Sequence, residues 1–133
     1  MLSGSFYDIL SFTLDEPVAS SQKYMAVVSL RDTHPMYQGH FPGNPVVPGV
    51  CQVQMIRELV ETAVKQPLIL TESDNIKFLS MINPYVNPIL EINILISFTS
   101  STQFIVTASI GSGTGLFLKF KGKFESESSC RKY

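Results

Sequence analysis

The stretch Gly39-His40-Phe41-Pro42-Gly43-Asn44-Pro45-Val46-Val47-Pro48-Gly49-Val50-Cys51-Gln52-Val53-Gln54 changes character at Pro48, and that change organises the chain. Upstream, prolines at 35, 42, 45 and 48 fix φ and withhold backbone donors, so residues 31–48 form a stiff, non-helical loop. Downstream, no proline recurs until Pro67, and Pro48 suits the first turn of a helix running from Gly49 to Lys65. Val53, Ile56, Leu59, Val60, Ala63 and Val64 fall on one broad apolar face at helical spacing, while Gln54, Arg57, Glu58, Glu61 and Lys65 gather opposite.

Everything around this helix has the two-residue rhythm of strands. Phe6 to Leu14 and Tyr24 to Leu30 read as two strands before the loop. After the helix come Leu68 to Leu70 and Ile76 to Ile82, with breakers at Asn83-Pro84 and Asn87-Pro88. Ile89 to Thr99 sets Ile89, Glu91, Asn93 and Leu95 against Leu90, Ile92, Ile94 and Ile96. Thr102 to Ile110 follows, then Leu116 to Phe124, where Leu118 and Phe120 alternate with Lys119, Lys121 and Lys123. Residues 125–133 are polar and expected to fray. Two strands, a loop, one long helix and about four strands predict a single α+β domain with an antiparallel sheet wrapped around that helix.

The bulk numbers narrow the function. The 133 residues suit one domain with a real core, and 44% hydrophobic against 16% charged residues is a globular balance with some surface hidden in an oligomer. A net charge of −1 points to neither nucleic acid nor an anionic membrane. The 2 cysteines, Cys51 and Cys130, lack metal-ligand spacing and read as reduced thiols. The first residues lack the basic and apolar regions of a signal peptide, and no apolar run reaches membrane-spanning length, so the expectation is a cytoplasmic protein. No nucleotide, flavin or metal motif appears, and no cofactor is expected. His34 precedes His40 by a few residues, but no third ligand stands near and His34 reads as a loop residue.

His40 is the residue with chemistry to offer. Histidine moves protons near neutral pH, and this one sits on a rigid loop before a helix start whose free N–H groups and positive dipole end could polarise a carbonyl. Gly49 would let a ligand approach that backbone closely. A base beside a preformed oxyanion site is what α-proton abstraction from a thioester requires. The plainer reading is a structural histidine in a proline-rich loop, and spacing alone does not separate the two.

The pattern His-Phe-Pro-Gly-x-Pro-x-x-Pro-Gly-Val at residues 40–50 resembles the signature of the hotdog-fold β-hydroxyacyl-acyl-carrier-protein dehydratases of fatty acid synthesis. The resemblance spans roughly residues 6 to 124 and is specific from 39 to 50. It implies a hotdog fold pairing as a double-hotdog homodimer, or a trimer of dimers. It also implies an acyl-ACP or acyl-CoA substrate and dehydration of a 3-hydroxyacyl thioester with His40 as base. Gly49 would bind the carbonyl, within a substrate-binding set of Phe41, Pro48, Gly49, Val50, Phe78 and Leu79. Phe78, Leu79 and Met81 are candidates for an acyl tunnel, with plain core as the alternative.

One position departs from the pattern. The family's helix carboxylate stands where this chain has Gln54, which cannot ionise, and Glu58 follows one turn later on the same face. Three readings follow: Glu58 is a shifted acid; His40 works alone with Gln54 as positioner; or the chain is a non-catalytic acyl-thioester binder or partner subunit. The plain reading of Glu58 itself is a solvated helix-face residue paired with Arg57 or Lys65. A thioesterase is the rival within the fold, but Val50, Cys51, Gln52 and Val53 supply no carboxylate at the helix start. The row Lys119, Lys121 and Lys123 reads either as a dock for an acidic carrier protein or as edge-strand protection.

Overall fold

The structure is a computed structural model that describes residues 2–15, 20–35, 45–113 and 115–130, with backbone alone at 129 and 130. His40, Phe41, Met36 and Tyr37 lie outside the described residues. The elements run β1 (Tyr7–Leu14), β2 (Ser21–Leu30), α1 (Gly49–Val64), β3 (Leu68–Phe78), β4 (Ile89–Phe98), β5 (Gln103–Ser112), β6 (Gly115–Ser126) and a single turn, α2 (Glu127–Cys130). All strand pairs are antiparallel, in the order β1-β2-β4-β5-β6-β3, and α1 packs on one face of this sheet as in other hotdog folds.

Alternation in the sequence sets which face each strand buries. On β4, Leu90, Ile92, Ile94 and Ile96 are buried while Glu91 and Leu95 are exposed. On β6, Leu118, Phe120, Gly122 and Phe124 point inward and Lys119 and Lys121 outward. Met55, Ile56, Leu59 and Val60 of α1 complete one continuous core with these strands. Each such side chain contributes about 1.5–3 kcal/mol when removed from water.

Three expectations need correction. The buried sector of α1 reaches beyond the apolar stripe to Cys51, Gln52, Met55 and Glu58, while Val53 is half-buried, and at Glu58 a second layer covers the helix. That layer is the N-terminal segment: Glu58 accepts from the backbone N–H groups of Leu2 and Ser3. β6 does not end at Phe124, since Glu125 pairs with Gln103 and Ile69, Ser126 with Leu68, and the Glu127 N–H donates to the Pro67 carbonyl. β6 also lies between β5 and β3, so its lysines do not guard a sheet edge.

β3 is one long strand rather than two short ones. It pairs with β6 along its whole length and absorbs register shifts between Leu70 and Glu72 and between Ser73 and Asn75. These bulges break the two-residue rhythm that strand reading relies on. At the far end of α1, Lys65 closes the helix in the left-handed region at φ 59°, its N–H donating to the Glu61 carbonyl.

Candidate active site

The start of α1 is anchored from behind. Val47 donates its N–H to the Ile82 carbonyl at 2.9 Å, and buried Gln52 reaches back from the helix to the Val47 carbonyl with Nε2 at 3.2 Å. Pro48, extended at φ −60° and ψ 146°, occupies the cap position and offers no side-chain acceptor. Its carbonyl takes the N–H groups of Cys51 and Gln52 at 3.0 and 3.2 Å. Among the described residues nothing accepts from the N–H groups of Gly49 and Val50. The first turn also carries no acidic residue, so the positive end of the helix is unneutralised by its own side chains.

Gly49 packs closely under the ring of Phe78, which a larger residue would push aside. A Cβ there would stand 2.6 Å from Cζ of Phe78, the last residue of β3. The structure thus brings Gly49 and Phe78 together. Of the residues named for substrate, several are exposed in the single chain: Val50 is 77% exposed, Phe78 53%, Leu79 42% and Met81 77%. Phe78, Leu79 and Met81 are therefore not plain core. Cys51 is buried, and burial pushes its thiol up, away from the thiolate a nucleophile needs.

Glu58 is the surprise of the helix. It is 4% exposed, neither solvated nor joined to Arg57 or Lys65, and Arg57 instead meets Glu61 at 3.6 Å. Its Oε2 accepts from Leu2 N at 2.7 Å and Gln54 Nε2 at 2.9 Å; its Oε1 accepts from Ser3 N at 2.9 Å and the Tyr7 hydroxyl at 3.0 Å. Burial alone would raise the carboxyl, but these four donors outweigh it and hold Glu58 below the usual carboxylate range. The Tyr7 phenol is pushed up, first by burial and then by the Glu58 charge, and stays a proton donor. The carboxylate and the amide one turn before it touch directly, as their spacing implies.

Sequence reasoning passed over Tyr7 and Gln52. Tyr7 gave no signal, since its partner lies 51 residues away. Gln52 gave one: a polar residue four before Ile56, on the apolar side of the helix. Its Oε1 is buried and finds no donor among the described residues, a cost of about 1–3 kcal/mol unless something else supplies one. His34 is a half-buried loop residue whose ring meets Phe6 edge to face at 5.2 Å. No three His, Cys, Asp or Glu side chains among the described residues form a metal-binding group.

Comparison with known proteins bears on the family and the fold. The chain is 28% identical over 114 residues to the 3-hydroxyacyl-[acyl-carrier-protein] dehydratase FabZ of Caulobacter vibrioides, covering 79% of this chain and 72% of that protein. It is 29% identical over 128 residues to the FabZ dehydratase of Enterococcus faecalis, covering 91% and 84%. Among solved structures, the dehydratase heterocomplex ApeI:P of Xenorhabdus doucetiae superposes with a TM-score of 0.61 at 18% identity, over 89% of this chain and 96% of that one. A structure described as a putative thioesterase from Lactococcus lactis gives 0.62 at 11% identity, over 90% and 91%, so the fold by itself does not separate the two activities. The family model of the ApeI dehydratases matches residues 16–113, which takes in the His40 loop, all of α1 and strands β2 to β5. The chain belongs to the ApeI-like dehydratase family.

Proposed function

We propose that the protein removes water from a 3-hydroxyacyl thioester, carried on acyl carrier protein or coenzyme A, to give a trans-2-enoyl thioester. The observation that carries this reading is the uncapped helix start at Gly49 and Val50, directly downstream of His40, with Phe78 laid against it. The thioester carbonyl accepts from the Gly49 N–H, which stabilises charge as the α-carbon loses its proton to His40. The C–O bond to the β-hydroxyl then breaks, and the proton held by His40 leaves with the oxygen as water. Phe41, Pro48, Val50 and Leu79 line the approach of the acyl group. The relatives' names, FabZ and ApeI dehydratase, support the reaction class.

Gln54 positions the hydroxyl in this reading, and Glu58 holds Gln54 rather than serving as acid. A carboxylate already ionised and taken up by four donors has no proton to give. Lack of a second acid–base group costs on the order of 10²–10⁴ in rate. Slow turnover is therefore expected. Two copies pair along the outer edge of β3, beside exposed Val50, Phe78 and Met81, as a double hotdog or a trimer of such dimers.

The same engaged Glu58 favours a second reading, in which the chain is an acyl-thioester-binding subunit beside an active homologue. A structural neighbour named as a dehydratase heterocomplex, ApeI:P, supports assembly with a second kind of chain. Hydration of crotonyl-CoA and dehydration of 3-hydroxyacyl-ACP by the wild type, His40→Ala, Gln54→Glu and Glu58→Gln separate these possibilities. Slow activity lost in His40→Ala and raised in Gln54→Glu is the expected result. A silent wild type that Gln54→Glu awakens supports the binding subunit. Abolished turnover in a folded Glu58→Gln makes Glu58 the acid, and unchanged activity in His40→Ala sinks the proposal.

A further inference from the structure

The outer face of the sheet, away from α1, carries a groove of about 480 Å³ lined by residues of five strands. That volume lies within the roughly 300–1,000 Å³ range of small-molecule sites. The strand registers set two parallel rows across this face, which supply most of the lining, with Met25 and Lys77 flanking it. One runs Lys23, Leu95, Thr107, Lys121, Asn75 from β2 to β3; the next runs Met25, Asn93, Ser109, Lys119, Lys77. Neither row contains a carboxylate. Four lysines thus share one face with asparagine, serine and threonine between them, and among the described residues none of the four is in an ion pair.

This placement costs stability. Lys77 and Lys119 are direct cross-strand partners, and like charges so opposed destabilise a sheet. The floor offers different chemistry: Leu95 and Leu116 are exposed by 40% and 43%, and lysine stems extend that apolar strip while their ammonium groups stay at the rim. A protein partner would cover a wider area than this narrow groove provides.

We infer that the groove binds a free amphiphilic anion, with its apolar chain along Leu95 and Leu116 and its head group held by Lys119 and Lys121. The site is on the sheet face opposite α1 and independent of the dehydratase reaction proposed above. Calorimetric titration of the full chain with sodium dodecanoate tests it, against neutral dodecanol and phosphatidylglycerol vesicles. Saturable dodecanoate binding is expected. It should weaken at least about fivefold in the Lys119→Gln/Lys121→Gln double variant and at high salt, as screened charge pairs do, and should persist in His40→Ala. Both lysines are exposed, so unchanged circular dichroism and melting of the double variant establish its fold; Leu95→Glu gives a second, independent loss. Equal affinity for dodecanol, unchanged binding in the double variant, or loss in His40→Ala alone overturns the assignment. Binding to vesicles without binding to dodecanoate overturns it in favour of a membrane surface.

Discussion

Four donors on one carboxylate make Glu58 the most committed side chain of the helix, and two of its donors are backbone groups of the N-terminal segment. Glu58→Gln leaves one acceptor oxygen and brings an NH₂ group against N–H donors. It should cost about 2–4 kcal/mol, measured by urea unfolding. The pH dependence has a definite sign. A carboxyl held below its ordinary 4.5 stabilises the fold fully above that value and loses its contribution as pH falls through the folded-state value. The stability curves of wild type and Glu58→Gln should therefore stay apart at neutral pH and converge below about pH 4.5. The contact of Gln54 with Glu58 was legible from helical spacing. The donors Leu2, Ser3 and Tyr7 were not, since no local pattern announces a partner 51 to 56 residues away.

At the scale of elements, legibility followed regularity. β4, β5 and β6 alternate cleanly, and their reading needed only small adjustments at the ends. β3 was split in the reading because its polar middle, Thr71 to Asn75, carries two bulges and lies mostly exposed. Opposite those bulges sits Gly122, where a Cβ would meet the Glu72 carbonyl oxygen and Phe120 Cζ, each at 2.8 Å, and Leu70 Cδ1 at 3.0 Å. Backbone cannot give way as a flexible side chain can. Gly122→Ala should cost about 1–3 kcal/mol by thermal or urea unfolding. Gly115→Ala, with nothing within 4 Å, should stay within about 0.5 kcal/mol on the same measurement. The helix face was misjudged on one side because a stripe of apolar residues records contact with the sheet and is silent about the polar clamp behind it.

The molecule as a whole presents apolar surface where a single copy has no use for it. Val50, Phe78, Met81, Tyr85 and Val86 are all exposed, around the helix start and the end of β3. If this face is the proposed dimer interface, Met81→Glu should shift the mass seen by light scattering toward the monomer. It should leave the secondary structure by circular dichroism unchanged, because Met81 is 77% exposed in one chain. Unshifted mass would place the interface elsewhere. The hotdog architecture and the helix start were legible from the loop motif and the strand rhythm; association was expected only from the low charge content and the resemblance.

The strand order also dictates a history. β4, β5 and β6 follow one another through short turns, whereas β2 reaches β4 only across α1 and β3, and β3 reaches β6 across β4 and β5. Chain entropy makes near neighbours meet first and distant ones late. The three-stranded meander should therefore nucleate folding, with β3 and β2 added to its flanks. The segment before β1, clipped to Glu58, is then the last piece of the described chain to arrive and the first to detach.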